Sequence, residues 1–417
     1  MTDPQPLALD GGAPVRTRPW PSYDKGDVMI DGDDVRAAER AVRSRLLFRY
    51  DTRPFEETEV GQLEKEMAEF LDVPFALATT SGTTALSLAL LGRGIGRGDV
   101  VGVPAFTFPG AASAAYLSGA EIRVIEVDDD LNMDMDDLAR KLPDLDALIV
   151  CHMRGVASPI ADIRRMVGTD VVLVEDAVPV FGTTYAGRKL GTYGDAGCFS
   201  FQADKAISSG EGGLVVTHDQ EAFERMARMA GTFEGRLRRH TDAHHLDQII
   251  DERSEPILSW RLDEVRAALA RVQLSRVDAR HEAALANYAA VAEAIDAIPG
   301  WRRRTCPGVP DGIAGDSLIV RPPDDVNALR VVDAVNAEGI EARLFNDPRK
   351  HNARCFVHWL FAFPGTTEEE RYALAPRTAD LLARSIDIQV SPVMVEGDRE
   401  DLVRALSKVA ANIWGAP

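Results

Sequence analysis

The sequence predicts an α/β fold in which a mostly parallel, doubly wound sheet is followed by a smaller α+β C-terminal domain. Short apolar segments such as 147–151 and 171–174 have the continuous hydrophobic character of strands buried on both faces of a parallel sheet. They alternate with segments of helical character, which is the rhythm of βαβ units. At 417 residues the chain is also too long for one simple core.

Three regions are expected along the chain. Residues 1–30 contain several prolines and glycines, which predicts an extended N-terminal arm rather than a packed element. Residues 31–275 carry the alternating strands and helices and are expected to form the large domain. Residues 276–417 are expected to form the small C-terminal domain.

The hydrophobic periodicity assigns the individual elements. It predicts helices at 33–45, 57–70, 218–230, 259–298, 325–338 and 398–413, and strands at 100–103, 121–127, 316–320 and 340–345. The glycines between 92 and 98 resemble a dinucleotide fingerprint, but they follow a helix and precede a strand, which is the reverse of what that fingerprint needs. This segment is therefore predicted to be a helix-to-strand turn.

The segment 232–255 is polar and irregular, which predicts a mobile loop acting as a lid or a subunit contact. His240 and His244 have the i,i+4 spacing of a metal site, but no third ligand is evident nearby. We therefore favour a loop over a metal centre.

Composition limits the classes of function. The formal net charge of −19 argues against DNA or an anionic membrane as a partner. No apolar stretch approaches a membrane span, and the first residues have neither a basic nor an apolar signal region, so a cytoplasmic protein is expected. The four cysteines show no C-x-x-C spacing and are interpreted as reduced packing residues.

The most informative stretch is 194–213, a short apolar run that leads to Lys205 and then to a turn rich in serine and glycine. A lysine just after a buried strand lies where desolvation favours a neutral amine that is able to form an imine. The alternative is a surface lysine at the end of a strand. Two further stretches favour the chemical role.

The first of these is the apolar strand at 171–174, which leads directly to Glu175 and Asp176. Ligands bind at the C-terminal ends of strands in open α/β sheets, so Asp176 is expected to point into a cleft. A carboxylate in that position can keep the nitrogen of a bound heteroaromatic ring protonated. Glu175 is expected to be structural.

The second stretch runs from a strand at 74–78 through small hydroxyl residues into an Ala/Leu-rich helix. The free N–H groups of the first helical turn, together with the Ser81 and Thr83 hydroxyls, make a phosphate site at Gly82. Taken alone, the same pattern is that of an ordinary capped helix. The evidence is stronger when the three patterns occur in one chain than when each is taken alone. They are a phosphate site, a partner for a ring nitrogen and a lysine that can form an imine.

These three stretches resemble, in order and spacing, the DegT/DnrJ/EryC1/StrS family of sugar aminotransferases that depend on pyridoxal 5'-phosphate (PLP). The resemblance is close over about 55–275. The motif Ser-Phe-Gln-x-x-Lys at 200–205, the motif Ser-Gly-Glu-Gly-Gly at 209–213 and the N-terminal stretch 7–21 are most similar to one branch. That branch contains aminocyclitol aminotransferases and 3-amino-5-hydroxybenzoate synthase.

The resemblance implies a fold-type I PLP-dependent transferase and a set of site residues. Lys205 would hold PLP and act as the general base, and Asp176 would keep the pyridine nitrogen cationic. The other implied cofactor-binding residues are Ser81, Gly82, Thr83, Ser200, Gln202 and Phe108, which would stack on the ring. Ser259, where relatives commonly have asparagine, would reach the phosphate of the neighbouring subunit's cofactor, so the family implies a homodimer with shared active sites.

The implied activity is the transfer of an amino group from glutamine or glutamate to a cyclic ketone, a keto-sugar or keto-cyclitol, in natural-product biosynthesis. Pro179 and Phe181 stand where relatives have glutamine or histidine. They raise the alternative of another PLP reaction, such as elimination or bond formation on an amino acid. A non-catalytic regulator is disfavoured by Lys205 and Asp176, and Lys205 argues against dehydratase members, which typically have histidine there.

Overall fold

The computed structural model describes residues 5–22, 25–309 and 311–416, so the remaining positions of the predicted arm and C-terminal domain lie outside the described residues. The helices are α1 Lys25–Met29, α2 Gly32–Ser44, α3 Glu59–Leu71, α4 Gly82–Gly92, α5 Gly110–Ser118, α6 Met135–Lys141, α7 Ile160–Val167, α8 Gln220–Ala230, α9 Arg238–Ala243, α10 Glu264–Leu274, α11 Val277–Asp296, α12 Ala328–Ala337, α13 Glu368–Tyr372, α14 Pro376–Leu382 and α15 Glu396–Ile413.

The strands are β1 Phe75–Thr79, β2 Val100–Pro104, β3 Glu121–Ile125, β4 Ala147–Cys151, β5 Val172–Asp176, β6 Thr184–Tyr185, β7 Arg188–Lys189, β8 Ala196–Ser200, β9 Gly213–Thr217, β10 Arg302–Arg303, β11 Ser317–Arg321, β12 Ala342–Leu344 and β13 Ile386–Gln389. Seven of them form one sheet in the order β1-β9-β8-β5-β4-β2-β3. Only β9 runs against its neighbours in this sheet, so the predicted mostly parallel sheet is confirmed.

Helices cover both faces of this sheet. One face packs against α4, α5 and α8 through residues such as Leu86, Ala112 and Phe223. The other packs against α3, α7 and α10, with Leu63 and Ile163 among the buried side chains. The two apolar layers explain why the central strands are hydrophobic without interruption, as the doubly wound prediction requires.

A second sheet has the order β10-β11-β13-β12 and is antiparallel throughout. It shares a hydrophobic core with α11, α12 and α15. The N-terminal segment joins this core, because Leu7 is buried in it. Arg16 Nη1 also lies 2.9 Å from carboxylate oxygens of both Asp398 and Asp401. The extended N-terminal arm predicted at 1–30 thus makes contacts with the second core through these residues.

The helix predicted at 259–298 is two helices, α10 and α11. The break falls at Arg276, whose φ of −115° and ψ of 0° depart from helical values. Its guanidinium is bound by two acids of α2, with Nη2 2.8 Å from Asp33 Oδ2 and Nη1 3.2 Å from Asp34 Oδ2. These ion pairs fix the chain at the point where α10 leaves α2 and α11 turns toward α15.

The segment 232–255, predicted to be an irregular loop, contains the short helix α9, and Leu237 just before it is buried in the core on one face of the large sheet. His240 is fully buried, and its Nε2 lies 2.7 Å from the hydroxyl of Tyr50. Burial raises the pKa of Tyr50 to about 12 and holds the pKa of His240 well below its usual range. The pair is therefore a neutral hydrogen bond within the core. Among the described residues, no group of three or more His, Cys, Asp or Glu side chains could hold a metal ion.

In the described part of the chain, no helix has both the length and the apolar character needed to cross a bilayer. The four cysteines are free thiols, and Cys151, Cys198 and Cys355 are buried.

Candidate active site

A cavity of about 440 Å³ opens where β4, β5 and β8 end and α4 begins. This is the place in an open α/β sheet where ligands bind. Eight of the nine residues predicted from the sequence line it, namely Ser81, Gly82, Thr83, Phe108, Asp176, Ser200, Gln202 and Lys205. The topology thus brings together three stretches that are spread over more than a hundred residues of the sequence, from Ser81 to Lys205.

The floor of the cavity includes the first turn of α4. Ser81 is the N-cap residue, and its Oγ accepts a hydrogen bond from Thr84 N at 3.1 Å. Thr84 Oγ1 accepts in return from Ser81 N at 2.9 Å. This reciprocal cap leaves the N–H groups of Gly82 and Thr83 without an acceptor inside the helix. An anion in the cavity can accept from them and gain from the helix dipole.

The space around this turn is tight at Gly82. A Cβ atom at Gly82 would lie 3.0 Å from Ser200 Cβ and 3.2 Å from Val178 Cγ2. Gly110, the first residue of α5, is similarly close, since a Cβ there would lie 2.8 Å from Thr83 Oγ1. These two glycines keep the anion site open.

Asp176 ends β5 and is almost fully buried at the cavity wall. Its neighbours in the sheet are Cys151 on β4 and Cys198 on β8. Val178 N donates a long hydrogen bond of 3.3 Å to Asp176 Oδ1. Burial raises the pKa of Asp176, against the lowering by hydrogen bonds from Cys151 and Val178 and by the positive charge of Lys205. The carboxylate is suited to a cationic N–H donor entering from the cavity.

Lys205 lies in the turn that follows β8, where its backbone N–H donates to Gln202 O at 2.9 Å. Its side chain is 23% exposed, and its Nζ lies 2.7 Å from Asp204 Oδ1. The backbone N–H of Gln202 donates to Ser200 Oγ at 3.3 Å, which ties the start of the turn to the end of the strand. Asp204 was not anticipated from the sequence.

Phe108 is half exposed and lines the cavity beside α5. Arg354, from the segment that follows β12, places its Cζ 6.0 Å from the centroid of the Phe108 ring. Arg354 lies close to this ring because its neighbour Cys355 forms a β-bridge with Phe106. Phe108 therefore places a half-exposed aromatic ring on the cavity wall, with the guanidinium of Arg354 over it.

Pro179 and Phe181, the two departures noted in the sequence, both line the cavity. Phe181 stacks on Phe70 with ring centroids 5.3 Å apart and meets Phe199 edge-on at 5.2 Å. This wall is apolar and is packed against the aromatic side chains of the core.

Glu175 and His152 have structural roles. Glu175 is fully buried and accepts hydrogen bonds from the backbone N–H groups of Gly191 at 2.9 Å and Gly194 at 2.6 Å. His152 Nε2 lies 3.2 Å from Glu175 Oε2, and His152 Nδ1 accepts from Ser158 N at 3.1 Å. The expectation that Glu175 is structural agrees with these contacts.

Ser259 lies outside the cavity of its own chain. It is exposed and has a φ of +61°, in the left-handed region. The contact predicted for it is with a neighbouring subunit, so its role stays a prediction.

Sequence reasoning missed several charged residues of the cavity wall. Arg280 and His281 come from α11, and Asp316 and Arg354 come from segments beside the second sheet. Arg154, which follows β4, also lines the cavity, and its Nη2 lies 2.8 Å from Asp387 on β13. These residues carry no local motif, because only the packing of distant elements brings them to the cavity.

Residues 52–407 match the DegT/DnrJ/EryC1/StrS aminotransferase family. The chain belongs to this family. The predicted family and fold are thereby confirmed, and the protein is a PLP-dependent aminotransferase.

Individual relatives match over nearly the whole chain. The L-glutamine:2-deoxy-scyllo-inosose aminotransferase of Micromonospora echinospora is 28% identical over 97% of this chain and 98% of the relative. The protein of the same name from Streptomyces kanamyceticus is 30% identical over 72% of this chain and 70% of the relative.

Solved structures share the fold. The crystal structure of 3-amino-5-hydroxybenzoic acid synthase has a TM-score of 0.78 and 24% identity, covering 96% of this chain and all of that one. A GDP-4-keto-6-deoxymannose-3-dehydratase with a trapped PLP-glutamate geminal diamine has a TM-score of 0.77 and 19% identity, covering 91% of this chain and 98% of that one.

The residues that line the cavity fit the chemical groups of PLP. The glycine-lined turn at Gly82 offers free N–H groups to a phosphate. Phe108 offers a flat apolar surface, and the buried carboxylate of Asp176 offers a partner for a pyridinium nitrogen. Lys205 supplies the amine that an aldehyde requires. Each part of the cofactor thus meets a group of complementary chemistry.

Proposed function

We propose that this aminotransferase moves an amino group from glutamine or glutamate to a cyclic ketone, with a keto-cyclitol or keto-sugar as acceptor, in natural-product biosynthesis. The observation that carries the proposal is the convergence of Lys205, Asp176 and the first turn of α4 on one cavity. The choice of donor and acceptor is supported by the relative named for L-glutamine and 2-deoxy-scyllo-inosose, which aligns over nearly its whole length.

The residue roles follow from position and chemistry. Gly82 and Thr83 bind the phosphate through backbone N–H groups, assisted by the hydroxyls of Ser81 and Ser200. Asp176 keeps the ring nitrogen protonated from its buried position at the end of β5. When bound, the cofactor supplies an electron sink for the carbon that loses a proton.

Lys205 has two successive roles in this proposal. Its Nζ would hold the cofactor through the aldehyde and would give up that place to the amine of the donor. Once free, Nζ would serve as the general base that moves the proton of the donor's α-carbon. Phe108 and the apolar wall of Val178, Pro179 and Phe181 hold the reacting groups in place and exclude water.

A homodimer with shared active sites is the proposed assembly. Leu47, Phe48 and Ile257 are large apolar side chains that are at least 40% exposed in the single chain, and the first two are close to α10, since Glu264 N donates to Leu47 O at 3.2 Å. Ser259 follows Ile257 closely in the same region. Light scattering that gives a monomer mass for the active enzyme would contradict this assembly and the role of Ser259.

The test of the activity is a two-stage spectroscopic experiment. Cofactor-loaded enzyme is mixed with L-glutamine, L-glutamate or L-alanine, and the visible absorbance of the bound cofactor is followed. We expect the first two donors to bleach the band and alanine to leave it unchanged. A keto-cyclitol added afterwards should restore the band and give an aminocyclitol detected by mass spectrometry. An unchanged band with both glutamine and glutamate would refute the proposed donors.

A further inference from the structure

A second carboxylate lies at the reacting amine. Asp204 precedes Lys205 in the chain, and its Oδ1 is 2.7 Å from Lys205 Nζ. Both residues line the cavity, and the side chain of Asp204 is 18% exposed. The contact therefore lies inside the site rather than on the outer surface, where ion pairs are weak.

The turn that carries the two residues is held from both sides. Lys205 N donates to Gln202 O at 2.9 Å, so the turn closes on itself. Gly26 N donates to Ala203 O at 2.9 Å, which places α1 against the turn. Asp204 Oδ1 is shielded from solvent in this arrangement. A shielded carboxylate oxygen is costly unless a cation faces it. This Oδ1 accepts no hydrogen bond, so its contact with Lys205 Nζ at 2.7 Å is an ion pair whose partners are not aligned for hydrogen bonding.

We propose that Asp204 is a catalytic residue that holds the protonated amine of Lys205 while that amine is detached from the cofactor. This inference rests on the proposed function, in which Lys205 moves a proton. When Nζ takes the proton of the donor's α-carbon it becomes an ammonium, and Asp204 Oδ1 binds that ammonium. Nζ then gives the same proton to the cofactor carbon and becomes neutral, while Asp204 stays ionised throughout.

The electrostatic consequence concerns any nitrogen that occupies the position of Nζ. A carboxylate at this distance attracts a positive charge on that nitrogen, and its removal takes that attraction away. The other titratable and charged groups that line the cavity are Cys151 from β4, Asp176 from β5, Glu211, Arg154, Arg280 and His281 from α11, Asp316 and Arg354. Of these, Asp176 acts on the same nitrogen through the charge interaction that links it to Lys205.

The test compares Asp204→Asn with the parent enzyme, both loaded with PLP. We expect the midpoint of the pH titration of cofactor absorbance to move to lower pH by about one. The single-turnover rate of bleaching by L-glutamine should fall by about tenfold, because the ammonium loses its partner. The mass gain after borohydride reduction should be unchanged, because the bond between Lys205 and the cofactor needs only the amine of Lys205.

Two further variants make the result decisive. Asp204→Glu keeps the charge and should retain a midpoint within about 0.3 of the parent. Glu69→Gln removes a carboxylate that is exposed on α3 and should change neither quantity. If Asp204→Asn does not bind PLP, the decision falls to Asp204→Glu. A midpoint of its absorbance titration that is shifted from that of the parent enzyme overturns the proposal, and a midpoint that is retained supports it.

The failure of this inference is distinct from failure of the proposed function. If glutamine bleaches the parent enzyme while Asp204→Asn matches it in midpoint and within twofold in rate, the role of Asp204 is overturned and the activity stands. If glutamine and glutamate leave the parent enzyme unchanged, the proposed donors fail, and the absorbance midpoint still decides whether Asp204 acts on the nitrogen.

Discussion

Replacing Asp176 by asparagine is expected to stabilise the cofactor-free protein against unfolding and to lower the rate of the catalysed reaction. The substitution keeps the size of the side chain and removes one charge that is only 4% exposed. Burial raises the pKa of Asp176 above the ordinary value of 3.8, opposed by the hydrogen bonds from Cys151 and Val178 and the charge of Lys205. Folding therefore disfavours the ionised form when no cation faces it.

The sign of the stability effect follows from this shift. An acid whose pKa is raised by folding carries a penalty that is absent well below pH 3.8 and fully present once the pH exceeds the folded pKa. Asparagine has no such penalty. Without PLP, Asp176→Asn should therefore unfold at a higher temperature than the parent at pH 7, and the difference should vanish as the pH falls toward 3.

Catalysis should change in the opposite direction. Loss of one preorganised electrostatic partner typically costs about 10²–10³ in rate, or about 2.7–4 kcal/mol. Because Asp176 is shielded from water, the full range applies rather than a screened value. Stopped-flow absorbance with saturating L-glutamine gives the rate, and thermal unfolding with and without PLP gives the stability. A rate within twofold of the parent, or a lower unfolding temperature without PLP, would refute the reasoning.

Two other substitutions test the site and the core. Gly82→Ala places a Cβ 3.0 Å from Ser200 Cβ, so the dissociation constant of PLP should rise by about tenfold, or about 1.4 kcal/mol, in a fluorescence titration. The control is Gly96→Ala, whose added Cβ makes only an ordinary contact at 3.6 Å. This variant should leave the dissociation constant of PLP unchanged. Arg49→Leu leaves the buried Glu64 without the cation that lies 2.8 Å from it. Denaturant unfolding should therefore show a free energy of unfolding lower by about 3–5 kcal/mol. A decrease below about 1 kcal/mol would contradict the stabilising role of this pair.

The strands and the phosphate turn could be predicted from sequence because local patterns determine them. The segment 147–151 is buried on both faces, so its continuous apolar run marks β4 without error at either end. The start of α4 is fixed by Ser81, a capping residue that acts within four residues of itself.

Features that depend on distant partners could not be predicted in this way. The Ala-rich periodicity continues across Arg276, and only its ion pairs with Asp33 and Asp34 show where α10 ends and α11 begins. The polar composition around His240 predicts a loop, and its burial becomes evident only when Tyr50, 190 residues away, supplies a hydrogen bond.

The site shows the same division. Asp176 could be found because it ends a buried strand, and Lys205 because it lies shortly after one, which is a local signal with a known chemical use. Arg280, Asp316 and Arg354 reach the cavity from elements beyond the large sheet and have no signature in their own neighbourhoods. Asp204 was visible in the sequence, but only the distance to Lys205 Nζ identifies it.

The central claim is that the Nζ of Lys205 forms the bond to the cofactor's aldehyde. The most direct measurement is borohydride reduction of the PLP-loaded protein, followed by proteolysis and mass spectrometry of the peptides. We expect the mass of one reduced phosphopyridoxyl group on the peptide that contains Lys205, and no adduct in Lys205→Ala that is folded and carries bound PLP. An adduct on another lysine, or an unlabelled protein, would contradict the account.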